Sequence, residues 1–198
     1  SADRPARLLC AGVGGILAVT AFAGKEKTPM SATNIRRASA NDAATVAHII
    51  NEAWKTAYAG VVPLDRLDAL SDERKAAQLR EGLIRFPEMR YYLFEANGIP
   101  VGAASLHPTH DADLPGAAEF SFFYFLPSVW RRGYGKQLLA HLRSEAASLG
   151  YDRLCCWVLE QNRRAIAFYE SQDMPCDGKR QTVTIGIPLE ALRCTTNL

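Results

Sequence analysis

Between Asn41 and Tyr58 the apolar residues Val46, Ile50, Ala53, Trp54 and Ala57 recur at helical spacing, and Asn41 is a suitable N-cap. Gly60 ends the pattern. Residues 63–70 and 72–86 read as a helical pair with Leu79, Leu83 and Ile84 on its buried face. A short strand over Asn34–Ala38 precedes them. The period then shortens. Residues 91–95, 101–106 and 118–126 read as three strands, and Asn97-Gly98 marks a tight hairpin between the first two. The polar loop His107–Gly116 joins the second strand to the third. From Gly135 to Leu149 a helix is expected, because Leu138, Leu139, Leu142, Ala146 and Leu149 share one face and Gly150 stops it. Residues 153–160 are apolar on both faces, as in a covered central strand. Asn162 caps a helix to about Ser171, and residues 181–188 close with a last strand.

This alternation predicts an α/β fold in a single domain, residues 33–198, after an N-terminal extension and linker of residues 1–32. In that extension Leu8–Ala23 is apolar, Arg4 and Arg7 precede it, and Ala21-Phe22-Ala23 before Gly24 resembles a signal-peptidase site. The run is short for a membrane span. Two other readings compete: Met30 as a natural start after an extension, or an extra element packed on the domain.

Composition narrows the class. An apolar share of 48%, a charged share of 22% and a net charge of +2 fit a globular protein and speak against a nucleic-acid surface. The five cysteines show neither a disulfide framework nor paired zinc spacing, so no metal and a reducing, cytoplasmic setting are expected. The His107, His110, Asp111 and Asp113 group reads as a polar loop rather than a ligand set. Cys155 and Cys156 sit mid-strand and read as packing rather than as nucleophiles.

Trp130–Lys136 (WRRGYGK) carries the chemistry. Gly133 and Gly135 let backbone N–H groups approach an anion, the helix start adds positive potential, and Arg131, Arg132 and Lys136 add charge. A lone Gly-x-Gly is weak evidence, and this one is neither a P-loop nor a dinucleotide fingerprint.

Its setting is more specific. Phe125-Leu126-Pro127, then residues 130–135, then Asn162 with Phe168-Tyr169 resembles the GNAT superfamily of N-acetyltransferases, over roughly residues 33–190. Ile35–Pro63 also resembles that family's openings. Two positions depart: Trp130 stands where Gln or Arg is usual, and Asp173-Met174 stands for Gly-Phe.

The resemblance implies a GNAT-type mixed central sheet of about six to seven strands flanked by helices. It implies acetyl-coenzyme A as cosubstrate and acetyl transfer to a primary amine of a small molecule or peptide, directly within a ternary complex. Tyr169 would be the acid that protonates the leaving thiolate. The backbones of Phe123 and Phe125 would pair with the pantetheine arm, and the N–H of Phe125 would hold the oxyanion. Arg131, Arg132, Gly133, Tyr134, Gly135 and Lys136 would bind the pyrophosphate, and Asn162 the arm. Many relatives are dimers, so a homodimer stays open.

Glu119 is the expected base, because alternation along the 118–126 strand places it on one face with Phe123 and Phe125. Glu160 is the second choice. Trp54, Tyr58 and residues 63–86 stand where acceptor specificity would be built. The alternative class is a non-catalytic acyl-coenzyme A-binding sensor, against which Tyr169 argues. A third, resting only on residues 8–23, is an exported or membrane-attached protein.

Overall fold

The computed structural model describes residues 32–198. The signal-like segment, and all of the linker but its last residue, lie outside the described residues.

Eight strands form one sheet in the order β1-β2-β3-β4-β6-β8-β7, with β5 paired to β3 off this path. Strand β1 (Thr33–Arg37) pairs antiparallel with β2 (Arg90–Ala96), and β2 with β3 (Ile99–Pro108). The β2–β3 turn is the expected Asn97-Gly98, with φ of +51° and +76°, which suits the tightest hairpin turns. Helices α1 (Ala43–Ala57), α2 (Leu64–Asp68) and α3 (Asp72–Arg85) lie against one face. Helices α4 (Tyr134–Ser148) and α5 (Arg163–Ser171) lie against the other. The α1 face is filled by Val46, Ile49, Ile50, Leu79 and Tyr124, and the α4 face by Phe94, Phe123, Phe125, Leu138 and Leu142. No helix among the described residues is long and apolar enough to cross a membrane.

The start of α1 differs from expectation. Asn41 sits inside a 3-10 turn, Ala40–Asp42, that Ser39 caps. Ser39 and Asp42 satisfy each other's backbone donors, and Arg36 grips Asp42 at 2.7 Å. That reciprocal pair outcompetes a single asparagine cap.

Two regions raise the strand count above the expected six to seven. The run 118–126 splits into β4 (Ala117–Glu119) and β5 (Phe123–Phe125). The single strand expected at 181–188 is a hairpin of β7 (Cys176–Ile185) and β8 (Ile187–Asn197) around Gly186, whose φ is +77°. Residues Ala191–Asn197 of β8 pair with the whole of β6 (Arg153–Leu159). Across β7 and β8 Cys176 and Cys194 form a disulfide, which the odd cysteine count did not suggest.

Buried Arg193 of β8 ties the long loop to this hairpin. Its guanidinium meets Asp113 through two bonds of 2.9 and 3.0 Å, Asp177 at 2.7 Å and Asp111 at 3.2 Å. The Asp113 carboxyl is held well below the usual carboxylate range by Arg193. Removing one partner of a buried ion pair strands the other charges. Arg193→Met should therefore cost about 3–5 kcal/mol in urea unfolding; a change under about 1 kcal/mol would show that water compensates the three aspartates.

Candidate functional site

The site begins where two strands part. Strand β4 runs parallel to β6 from Ala117↔Arg153 to Glu119↔Cys155. The Phe120 N–H donates to the Cys155 carbonyl at 3.1 Å, and no β5–β6 pair follows among the described residues. Strand β5 stays with β3, while β6 stays with β8. A wedge opens between β5 and β6.

Ladder alternation decides which groups face the wedge. The Ser105 N–H donates to the Phe122 carbonyl at 3.0 Å, and the Leu126 N–H to that of Val101 at 2.8 Å. Tyr124, midway between them, turns its backbone to β3, so Phe123 and Phe125 turn theirs to the wedge. The Phe125 carbonyl already accepts a bond from the Trp130 indole at 2.8 Å. This gives the unusual Trp130 a role: it ties the loop to the end of β5.

The loop after β5 enters α4 through two left-handed residues, Arg131 (φ +64°) and Gly133 (φ +78°). Such turns line up successive N–H groups into an anion-binding concavity. No side chain among the described residues caps α4, so the Tyr134, Gly135 and Lys136 N–H groups head a helix with open donors. Above Gly133 there is open space: a Cβ there would meet nothing within 4 Å. Arg131, Arg132 and Lys136 are exposed beside it. The Tyr134 ring is buried, 4.9 Å from Phe94 and 6.4 Å from Phe125, so only its backbone is available to a ligand.

A further cation was not evident from sequence. Arg164 lies 5.6 Å over the Trp130 ring. Its Nε and Nη2 are buried without a partner among the described residues, beside a 170 Å³ cavity that Asn162 and Arg163 also line. Burial first, then Arg131, pushes its pKa down. A phosphate would relieve both effects, so the residues present fit an anionic ligand. Nothing in local periodicity separates Arg164 from a surface arginine. Asn162 caps α5 as expected, its Oδ1 accepting from the Ala165 N–H at 3.1 Å.

Three buried phenols gather at the wedge: Tyr58, Tyr124 and Tyr169. Tyr169 belongs to the α4 face and Tyr124 to the α1 face, yet they interact, because no strand closes the gap between β5 and β6. Burial pushes the Tyr169 hydroxyl well above its ordinary pKa, and the Cys156 thiol bonds to it. Tyr58 faces Asn162 and Tyr124, and the Trp54 indole donates to the Tyr124 hydroxyl at 2.8 Å. Burial also pushes Cys155 and Cys156, the free thiols among the described residues, upward, so they stay protonated.

Glu119 does not share a face with Phe123 and Phe125. Between the pairs His107↔Glu119 and Ala104↔Phe123, β3 advances three residues while the other strand advances four. The extra residue is a bulge, and it flips side-chain parity. Glu119 therefore lies on the α1 face, buried, accepting from the Thr109 hydroxyl at 3.0 Å. Ligand atoms of Asp111, Glu119 and Cys155 lie within 4.8 Å of one another, although Asp111 is bound to Arg193. His107 is beside Glu119, bonded to Ser121, and burial lowers its pKa. Glu160 is committed to Arg180 by two bonds of 3.2 Å, which lowers its pKa and makes it a poorer base.

Known proteins share this fold. Residues 47–174 match the family model described as Acetyltransferase (GNAT) family. The uncharacterized N-acetyltransferase YuaI of Bacillus subtilis (strain 168) is 27% identical over 142 residues, covering 69% of this chain and 77% of its own. The PaiA N-acetyltransferase of Thermoplasma acidophilum, solved with coenzyme A, superposes with a TM-score of 0.68 at 19% identity, over 84% of this chain and 99% of its own. YncA of Salmonella typhimurium, solved with acetyl-CoA, superposes at 0.63 and 21% identity, over 85% and 95%.

Proposed function

Because this chain belongs to the acetyltransferase (GNAT) family, we propose that it moves an acetyl group from acetyl-coenzyme A to a primary amine by direct attack in a ternary complex. It is an acyltransferase by that membership. The observation that carries the rest is the wedge: an unpaired β5 edge, an uncapped α4 N-terminus at one end, and a buried phenol in the gap.

Each part has a physical task. The pantetheine arm would add to the β5 edge through the Phe123 backbone and the Phe125 N–H, as an extended peptide adds to a sheet. The Gly133–Lys136 amides, with Arg131, Arg132 and Arg164, would hold the phosphates. The Phe125 N–H suits the oxyanion, which carries negative charge only in the tetrahedral intermediate. The Tyr169 hydroxyl would donate its proton to the departing thiolate. Its raised pKa keeps it protonated at neutral pH, as a donor must be. Glu119 would take the ammonium proton through water, from the α1 face. The bulge puts Glu119 on the face opposite Tyr169, so in this reading amine and thioester would meet in the gap from opposite sides.

Calorimetry with acetyl-coenzyme A and a thiol-release assay over an amine panel test this reading. No binding by the unaltered protein would sink it. Binding with no turnover on any amine would favour the sensor class. Direct transfer is checked by mass spectrometry after incubation with acetyl-coenzyme A alone. No acetyl adduct is expected, since the buried thiols stay protonated; an adduct on Cys155 or Cys156 would replace direct transfer with a covalent route.

Trp130→Phe tests the strut. It removes one bond of about 1 kcal/mol and frees the loop from β5. The KM for acetyl-coenzyme A should rise about fivefold, in line with that bond, with kcat little changed. An unchanged KM would mean that the loop is positioned without the indole.

A further inference from the structure

On the α1 face a 250 Å³ cavity opens between α1, α2, α3 and the β7–β8 turn. Its walls include Ile50, Trp54, Val62, Leu67, Phe122 and Ile185. It adjoins the wedge, because Trp54 lines it and bonds to Tyr124, which faces Tyr169.

Two cations and an amide break this apolar lining. Lys75 of α3 reaches into it half-buried, and no ion pair or hydrogen bond among the described residues engages its ammonium. Arg66 of α2 stands at the edge, its chain packed over Gly186, with only a 3.8 Å contact to exposed Asp65. Asn51 of α1 is 1% exposed. Its Nδ2 donates to Asp72 at 2.7 Å, while its Oδ1 is buried without a donor among the described residues. A cation without a counter-charge in an apolar wall, and an orphaned acceptor beside it, are costly in an empty cavity. A ligand with an anion and an N–H would satisfy them together.

We infer that the acceptor is a compact amino-carboxylate with an apolar body, its anion held by Lys75 and Arg66 and an N–H held by the Asn51 Oδ1. The volume lies below the roughly 300–1,000 Å³ of sites for drug-sized ligands, which fits an apolar amino acid and not an oligosaccharide. A polyamine would bring positive charge against two cations. This inference rests on the acetyltransferase reading for the identity of the site, but its binding half stands apart from turnover.

The experiment pairs leucine, methionine and phenylalanine each with its C-terminal amide, and adds spermidine. Binding is measured by calorimetry in the presence of coenzyme A, and turnover by thiol release. Each carboxylate should exceed its amide by about ten- to hundredfold in affinity and in kcat/KM, the range of one hydrogen bond to a charged group. Lys75→Gln should collapse that ratio toward one through KM, whereas Lys75→Arg should retain it, and neither should alter acetyl-coenzyme A affinity. Amides or spermidine binding as well as the carboxylates would overturn the inference, as would a ratio untouched by Lys75→Gln. Carboxylate-selective binding without thiol release would support the pocket while removing the acetyltransferase reading. Normal turnover on spermidine alone would do the reverse.

Discussion

Tyr169→Phe is expected to lower kcat by about 10²–10⁴-fold, the usual contribution of a positioned general acid, with acetyl-coenzyme A affinity nearly unchanged. The hydroxyl is buried in the gap, touches the Cys156 thiol and faces Tyr124 and Tyr58. Burial makes it a reluctant anion, so it holds its proton until a thiolate nearby needs one. The ring stays when the oxygen goes, so the packing against Phe120 and Phe168 persists. The fold should lose only about 0.5–1.5 kcal/mol with the bond to Cys156. Thiol-release kinetics and calorimetry separate the two effects. Turnover equal to that of the unaltered protein would remove Tyr169 from the mechanism, and a parallel loss of affinity would assign it to binding.

The second large effect concerns the loop. Gly135→Glu should weaken acetyl-coenzyme A binding about 10²-fold or more, close to 3 kcal/mol. A Cβ at Gly135 would stand 3.3 Å from the Phe168 ring and 3.8 Å from Phe123, so it touches the aromatic floor at once. A longer chain must leave that floor and cross the open N–H groups, bringing a carboxylate where phosphates belong. Gly135→Ala is the control. The gain in helix propensity, about 0.5–1 kcal/mol, opposes a tight methyl contact, so stability should change little and affinity only modestly. Thermal melts show whether each variant folds. A folded Gly135→Glu protein with undiminished affinity would place the phosphates elsewhere.

Much of this was legible in the residues. The α4 helix, the Asn97-Gly98 turn and the Asn162 cap rest on contacts within a few positions, and such contacts leave a period or a cap in the sequence, while the covered β6 strand shows as an apolar run. The Gly133-Tyr134-Gly135 loop was readable for the same reason. The role proposed for it needs backbone N–H groups at a helix start, and those are fixed by adjacent residues.

What the sequence could not show lies in pairings between distant segments. Leu189–Arg193 is composed of good helix formers, yet it is a strand, because β7 and the edge of β6 flank it on either side. Alternation carried through 118–126 put Glu119 beside Phe123. One bulged residue, set by the β3 register, moved it to the other face. Arg164, Lys75 and Asn51 resemble ordinary helix-surface positions until the fold brings them to cavities, where we propose that they bind. The sequence by itself therefore determined the family, through motifs that resemble it, and most of the element order, through local spacing; the split of 118–126 and the β7–β8 hairpin escaped it. Only the tertiary structure decided which faces Glu119 and Tyr169 occupy and which residues line the cavity beside α1. Those depend on which strands part company after Glu119 and Cys155, and no local pattern records that.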